Sequence, residues 1–196
     1  HVCERWARDR TDQLQSAFFN GVGYESWENI WGIWNPLNAR DAAALRRMST
    51  IERAMAALLI SSDWEPFVTT GATGLHASRF PGQGQALWLS INRTADDAQA
   101  ALPVSPPAPS ARYFDLWNGR ELAPHAGRSG VVLSFPIEAW GFGAVLAVDA
   151  ARVPPGIDAL LRESARLAGT PLGPRRSEAS PLLQTIVPIA RTRPAT

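Results

Sequence analysis

The sequence predicts an α+β fold: two βα units of a parallel sheet or barrel, then an antiparallel β-sandwich, then a short C-terminal helix. Three observations carry this. Residues 1–62 alternate short apolar runs with segments whose apolar residues recur at helical spacing. Residues 63–150 hold short alternating runs cut by Gly and Pro turn signals. Residues 155–167 return to helical spacing, with Ile157, Leu160, Leu161 and Leu167 on one side.

In chain order, residues 1–6 read as the end of a strand. Residues 11–20 read as a helix, because Leu14, Ala17 and Phe18 share a face and Thr11 or Asp12 can cap it. Gly21 stands where a left-handed residue closes such a helix. Residues 22–27 follow as a short buried strand. Asn38 then opens a second helix, with Asp41 three residues on as a variant capping box. The stripe Ala42, Leu45, Met48, Ile51, Met55 and Leu58 carries that helix for about 20 residues. Two βα units cannot close a barrel, so the apolar faces of both helices are expected to stay partly exposed. The character changes at Asp63-Trp64-Glu65-Pro66. Strands are expected over 75–80, 86–92, 112–117, 131–135 and 142–148, separated by Pro81-Gly82, Asn118-Gly119 and the Pro-rich stretch 103–109. Asn118-Gly119 suits a type I′ turn, so residues 113–122 read as a hairpin. After Gly169 the chain is rich in Pro, Arg and Ser and reads as a linker.

Composition removes several function classes. The 196 residues suit one large domain or two small ones. A net charge of +1 gives no electrostatic case for nucleic acid. Cys3 is the lone cysteine, which excludes an internal disulfide and a Cys-based metal site. His76 and His125 have no partner at metal spacing, and no metal or cofactor is expected. Ser26 lacks a Gly-x-Ser-x-Gly setting, and Gly82-Gln83-Gly84 lacks the strand–helix context of a phosphate loop. No run reaches the roughly 18 apolar residues of a membrane span. The chain opens on His1 with an apolar segment almost at once, which reads as a piece of something longer. A signal peptide upstream would make it an exported protein, so the compartment stays open.

The densest chemistry lies in residues 23–35, where Trp27, Trp31 and Trp34, three of the eight tryptophans, accompany Glu25 and Glu28. Trp is large and needs a partner for its N–H when buried. Such a cluster suits a flat apolar ligand whose hydroxyls need carboxylates, a sugar ring above all. It suits equally a core corner where two elements cross. Glu25 and Trp27 alternate along a strand and so share a face, whereas Glu28 points away unless the loop has begun. Trp31 and Trp34, three apart, wall a subsite or cap the first unit against the sandwich. Trp88, Trp117 and Trp140 fall in expected strands and read as core.

The run Phe-Phe-Asn-Gly-Val-Gly-Tyr-Glu-Ser-Trp-Glu-Asn-Ile-Trp-Gly-Ile-Trp-Asn, residues 18–35, resembles a family of large bacterial multidomain proteins. These carry a glycoside-hydrolase-like (β/α)8 barrel, a β-sandwich and a formylglycine-generating-enzyme-like (sulfatase-modifying-factor) domain. Arg46-Arg47, Ile51-Glu52-Arg53-Ala54, the stretches 76–80 and 113–122, and Pro181-Leu182-Leu183-Gln184-Thr185-Ile186-Val187-Pro188 resemble the same family. The resemblance implies that residues 1–62 are the last two βα units of the barrel, 63–150 an accessory sandwich, 151–169 a short helix and 170–196 a linker. Motifs of the sulfatase-modifying-factor-like domain itself are absent, so none of its activity falls on these residues.

The barrel part also resembles retaining glycosidases of the β-galactosidase type, with Val2-Cys3-Glu4-Arg5 as strand seven and Tyr24-Glu25-Ser26-Trp27 as strand eight. That likeness implies Glu4 and Glu25 as the catalytic carboxylates of this chain, Glu4 being the nucleophile. Trp27, Glu28 and Trp31 would contact a carbohydrate substrate. The acid partner of such enzymes lies on strand four, in a missing N-terminal barrel half. The alternatives are a solvated Glu4 beside the terminus and a buried Glu25 paired with Arg5 or Arg53. At the level of the protein, the rival is a non-catalytic accessory or carbohydrate-binding module.

Overall fold

The computed structural model describes residues 9–25, 37–128 and 130–175, together with the backbone of residues 2–3. Strand β1 (Val2–Cys3) and strand β2 (Tyr24–Glu25) lie parallel, with Val2 opposite Tyr24 and Cys3 opposite Glu25. Helix α1 (Thr11–Phe19) connects them. A parallel pair needs such a crossover, so this is a βαβ unit. Helix α2 (Ala39–Ala54) follows, then the single turn α3 (Ala56–Leu59).

The helix ends show which sequence signals acted. Asn38 caps α2 as expected: its side-chain oxygen accepts the Asp41 backbone N–H at 2.8 Å, and its amide nitrogen donates to the Asp41 carboxylate at 2.6 Å. Asn38→Ala is expected to lower stability by about 1 kcal/mol, read as a lower denaturation midpoint with unchanged slope. At α1, neither Thr11 nor Asp12 is the cap. Arg10 takes that position without a side-chain cap, and Asp9 accepts the Thr11 backbone N–H at 2.9 Å instead. Gly21 ends α1 at φ +62, a conformation that costs a side chain about 1 kcal/mol or more. The expected single helix through Leu58 breaks at Met55, whose φ and ψ leave the helical range.

Eleven strands are assigned among the described residues, and β3 to β11 build two antiparallel sheets. The strands are β3 (Glu65–Val68), β4 (Leu75–Gly82), β5 (Gln85–Asn92), β6 (Ala98–Val104), β7 (Ala111–Asp115), β8 (Arg120–Glu121), β9 (His125–Gly127), β10 (Gly130–Ile137) and β11 (Phe142–Asp149). One sheet has the order β3-β4-β5-β11-β7-β8 and the other β6-β10-β9. Helix α4 (Ile157–Ala168) closes the fold. The mixed α+β class and the antiparallel sheets expected from the sequence are present. Strands β3, β6 and β9 carry too weak an alternation to be read in advance. Pro103 in β6 is tolerated because β6 is an edge strand.

The central strands β5 and β11 of the six-stranded sheet are buried on both faces, and this explains their composition. Alternate residues Leu87, Leu89 and Ile91 of β5, with Phe142, Ala144, Leu146 and Val148 of β11, join the helices in one cluster. The intervening residues Ala86, Trp88, Val145 and Ala147 join Leu102, Leu133, Phe135 and Ile137 of the smaller sheet in a second. Strands covered on both sides need near-continuous apolar runs, which is what β5 and β11 have. Leu14, Ala17 and Phe18 of α1, and Ala44, Met48 and Ile51 of α2, belong to the first cluster and are buried. The expected partial exposure is confined to the start of the α2 stripe, where Ala42 is exposed and Leu45 half-buried; the sandwich covers the rest of both faces. Phe18 makes edge contacts with Trp117 at 5.7 Å and Phe142 at 5.6 Å between ring centres.

The hairpin at residues 113–122 differs from expectation in its turn. Phe114 pairs with Glu121 and Asp115 with Arg120, leaving a four-residue connection in which Gly119 alone has positive φ. A type I′ turn would require positive φ at Asn118 as well. Instead Asn118 donates its backbone N–H and its amide to the buried Asp115 carboxylate, at 3.0 and 2.8 Å. The longer loop carries Trp117 out of the strand and into the core. A side chain at Gly119 would strike the backbone of α4 at Leu161 and Ala165, so glycine lets the hairpin touch that helix.

Candidate functional site

The expected site lies at the carboxyl ends of β1 and β2. Of its residues, Glu25 is described and half-buried, opposite Cys3 in the parallel pair. Glu4, Trp27, Glu28, Trp31 and Trp34 lie outside the described residues. Beneath Glu25, the fully buried Arg10 donates to the Tyr24 hydroxyl at 2.8 Å, its guanidinium 6.0 Å from the ring centre. Its backbone N–H goes to the Asp41 carboxylate at 2.8 Å, which also accepts from the Thr11 hydroxyl at 3.2 Å. This ties β2 to the start of both helices. Burial pushes the Asp41 carboxyl up from its ordinary range, outweighing those bonds.

A polar seam runs from there along the helix–sandwich junction. Arg40 reaches the Thr11 hydroxyl at 3.0 Å and the carbonyls of Ala139, Trp140 and Gly173. Arg175 donates to Asp9 and Asp12, each at 2.7 Å, and lies 4.8 Å from the Trp140 ring centre. Burial would raise both carboxyls, yet the Arg175 bonds hold both below the usual carboxylate range. Trp140 sits in a turn at φ +51 rather than in the expected strand, the turn closed by the Gly141 N–H on the Glu138 carbonyl at 2.8 Å, and its ring lies near both Arg175 and Arg93. The first residues of the expected linker are thereby docked: Arg175 on α1, and Thr170 through its carbonyl, 2.6 Å from Arg47. Residues 176–196 lie outside the described residues.

Two further features carry chemistry that the sequence did not single out. Glu52, on α2, is half-buried; one of its oxygens is shielded from solvent and has no hydrogen-bond partner, and burial raises its pKa to about 7. The other is a groove of about 490 Å³ between α1 and the β3 edge of the large sheet. Its wall holds Phe19, Trp64, Phe67 and His76, with Asp12 and Arg93 at the rim. Trp64 is 38% and Phe67 71% exposed, unusual for large apolar groups. Pro66 and Phe67 form a bulge between the pairs Glu65–Arg79 and Val68–Ala77, with Phe67 at φ +57. The strand alternation of residues 75–92 places His76 on the helix-facing side of β4, but nothing in it announces the bulge opposite. His125 is exposed on β9. Among the described residues no cluster of metal-ligating side chains exists, and no helix is long and apolar enough to cross a membrane.

No protein-family model matches the sequence, and no curated protein matches it. Among the solved structures with a partly similar arrangement are glycoside hydrolases. They include an Anoxybacillus alpha-amylase (10% identity, TM-score 0.47, covering 72% of this chain and 33% of that one). An alpha-amylase of Geobacillus thermoleovorans complexed with acarbose shows 8% identity and TM-score 0.49, over 72% and 34%. A putative alpha-galactosidase/melibiase of Bacteroides fragilis shows 11% identity and TM-score 0.44, over 71% and 28%. The chain thus spans about a third of the length of these proteins. All three scores are below one half, and the overlap carries no weight in assigning an activity.

Proposed function

We propose that this chain is the C-terminal part of a glycoside-hydrolase-like protein that cleaves glycosidic bonds with paired carboxylates. In this reading residues 1–62 end a (β/α)8 barrel, 63–150 form its accessory sandwich, 151–169 a short helix and 170–196 an outgoing linker. The observation that carries it is the parallel, in-register βαβ unit with Glu25 in the last described position of β2. In parallel α/β architectures the carboxyl ends of strands hold the reacting groups. Glu4 is the nucleophile, Glu25 assists as the second carboxylate of this chain, and Trp27, Glu28 and Trp31 hold the sugar. Paired carboxylates suit this reaction because one must donate a proton while the other stays ionised.

The test uses the longer protein this reading implies, with a complete barrel. Glu4→Gln is expected to lower kcat at least about 10³-fold with little change in substrate binding. Trp27→Ala is expected to raise KM and spare kcat, because it removes a stacking surface and leaves the carboxylates. Full activity in Glu4→Gln with loss in Glu25→Gln would move the nucleophile to β2. If neither matters, the tryptophans are packing and the accessory-module reading replaces this one. The position of the exposed aromatic rings, on the sandwich edge at Trp64 and Phe67, favours that second reading.

A further inference from the structure

We propose that the groove between α1 and β3 binds a neutral saccharide, independently of any catalysis at the ends of β1 and β2. Its volume, about 490 Å³, falls in the range of small-molecule sites. Phe67 gives the main reason to read it as a binding surface. A phenylalanine at φ +57 is strained, and at 71% exposure it recovers little of that by burial. The ring is nonetheless fixed, 4.9 Å from Phe19 and edge-on to His76 at 5.9 Å. Trp64 beside it is braced by stacking on Phe80 at 6.3 Å. Two aromatic surfaces are thus held in place and left open to solvent.

The rim selects the class of ligand. Asp12 and Arg93 pair with each other, and Arg175 supplies Asp12 with a second cation, so no charge is left seeking an ionic partner. A phosphate or carboxylate ligand would have to break that set. Asn20 and His76 add further hydrogen-bonding groups beside the rings. A ring with one apolar face and an edge of hydroxyls matches both parts at once: C–H groups on an aromatic plane, hydroxyls on mixed donors and acceptors. A lipid tail would leave the polar rim without partners.

Isothermal titration of the 196-residue chain with maltotetraose, cellotetraose and xylotetraose, each separately, tests this. At least one is expected to bind with micromolar to low-millimolar Kd. Phe67→Gly is the decisive variant: glycine accepts positive φ, so Tm should hold or rise while affinity falls at least tenfold. Trp64→Ala should lower affinity similarly. Because the readout is binding, loss of hydrolysis by Glu4→Gln in the longer protein leaves it unaffected. Absence of binding by all three sugars overturns the proposal, as does binding that survives both substitutions. A concentration-dependent dimer that Phe67→Gly converts to monomer would also overturn it, making the groove a protein contact.

Discussion

Phe18→Ala is expected to destabilise the protein by about 3–5 kcal/mol, a large share of the whole stability of a domain this size. Phe18 is fully buried at the point where α1 meets the large sheet, between Trp117 of the hairpin loop and Phe142 of β11. The neighbours come from two separate elements and stack on each other at 5.2 Å, so the space left by the phenyl group cannot collapse. Two edge-on contacts disappear with it, worth about 0.5–1.5 kcal/mol each beyond simple burial. Urea denaturation followed by near-ultraviolet circular dichroism should show an earlier midpoint and a weakened tryptophan signal. A cost under 1 kcal/mol would mean that α1 does not share a core with the sandwich.

Glu52→Gln is expected to act in the opposite direction, and only above mildly acidic pH. Burial raises the carboxyl from 4.5 to about 7 in the folded chain. Below pH 4.5 the group is protonated in both states and contributes no pH dependence. Between 4.5 and about 7 the unfolded chain releases its proton while the folded chain keeps it, so stability falls as pH rises. Above that window the loss levels off at about 3 kcal/mol, taking about 1.4 kcal/mol per pH unit of displacement. Glutamine carries no proton to lose. The variant should match the parent near pH 4 and exceed it by up to about 3 kcal/mol at pH 8. Asp41 and Asp115, also raised by burial, affect both proteins alike, so the difference between the two curves reports Glu52 alone. Parallel curves from pH 4 to 8 would show that water reaches this carboxylate.

What was legible in the sequence was local. Asn38 with Asp41, Gly21, and the apolar runs of β4, β5, β10 and β11 each announce their structure through contacts within a few residues. The type of the 118–119 turn was not legible, because it is set by the buried Asp115 carboxylate and by the approach of α4. Nor was the docking of the helices: Leu14 and Phe18 show an apolar face, but nothing in them says which surface covers it. The continuous character of Leu87-Trp88-Leu89 and Ala144-Val145-Leu146 did hold that information, since a sheet with one wet face has no use for it. Among the expected site residues Glu25 alone is described, at the end of β2. The groove was hidden for a different reason: Phe67 looks like an ordinary strand residue until a bulge and a positive φ turn it outward.

The double coverage of the large sheet has a consequence for how such a chain is inherited. A gene break at the change of character near Asp63 would strip the helices from Leu87, Leu89, Phe114, Phe142 and Leu146, leaving an oily plane facing water. Recombination can therefore move the sandwich to a new host only if the last βα segment travels with it, or if the host offers helices of matching relief. The unit of exchange is larger than the sandwich, and its seam lies inside what a sequence reader would call the preceding domain.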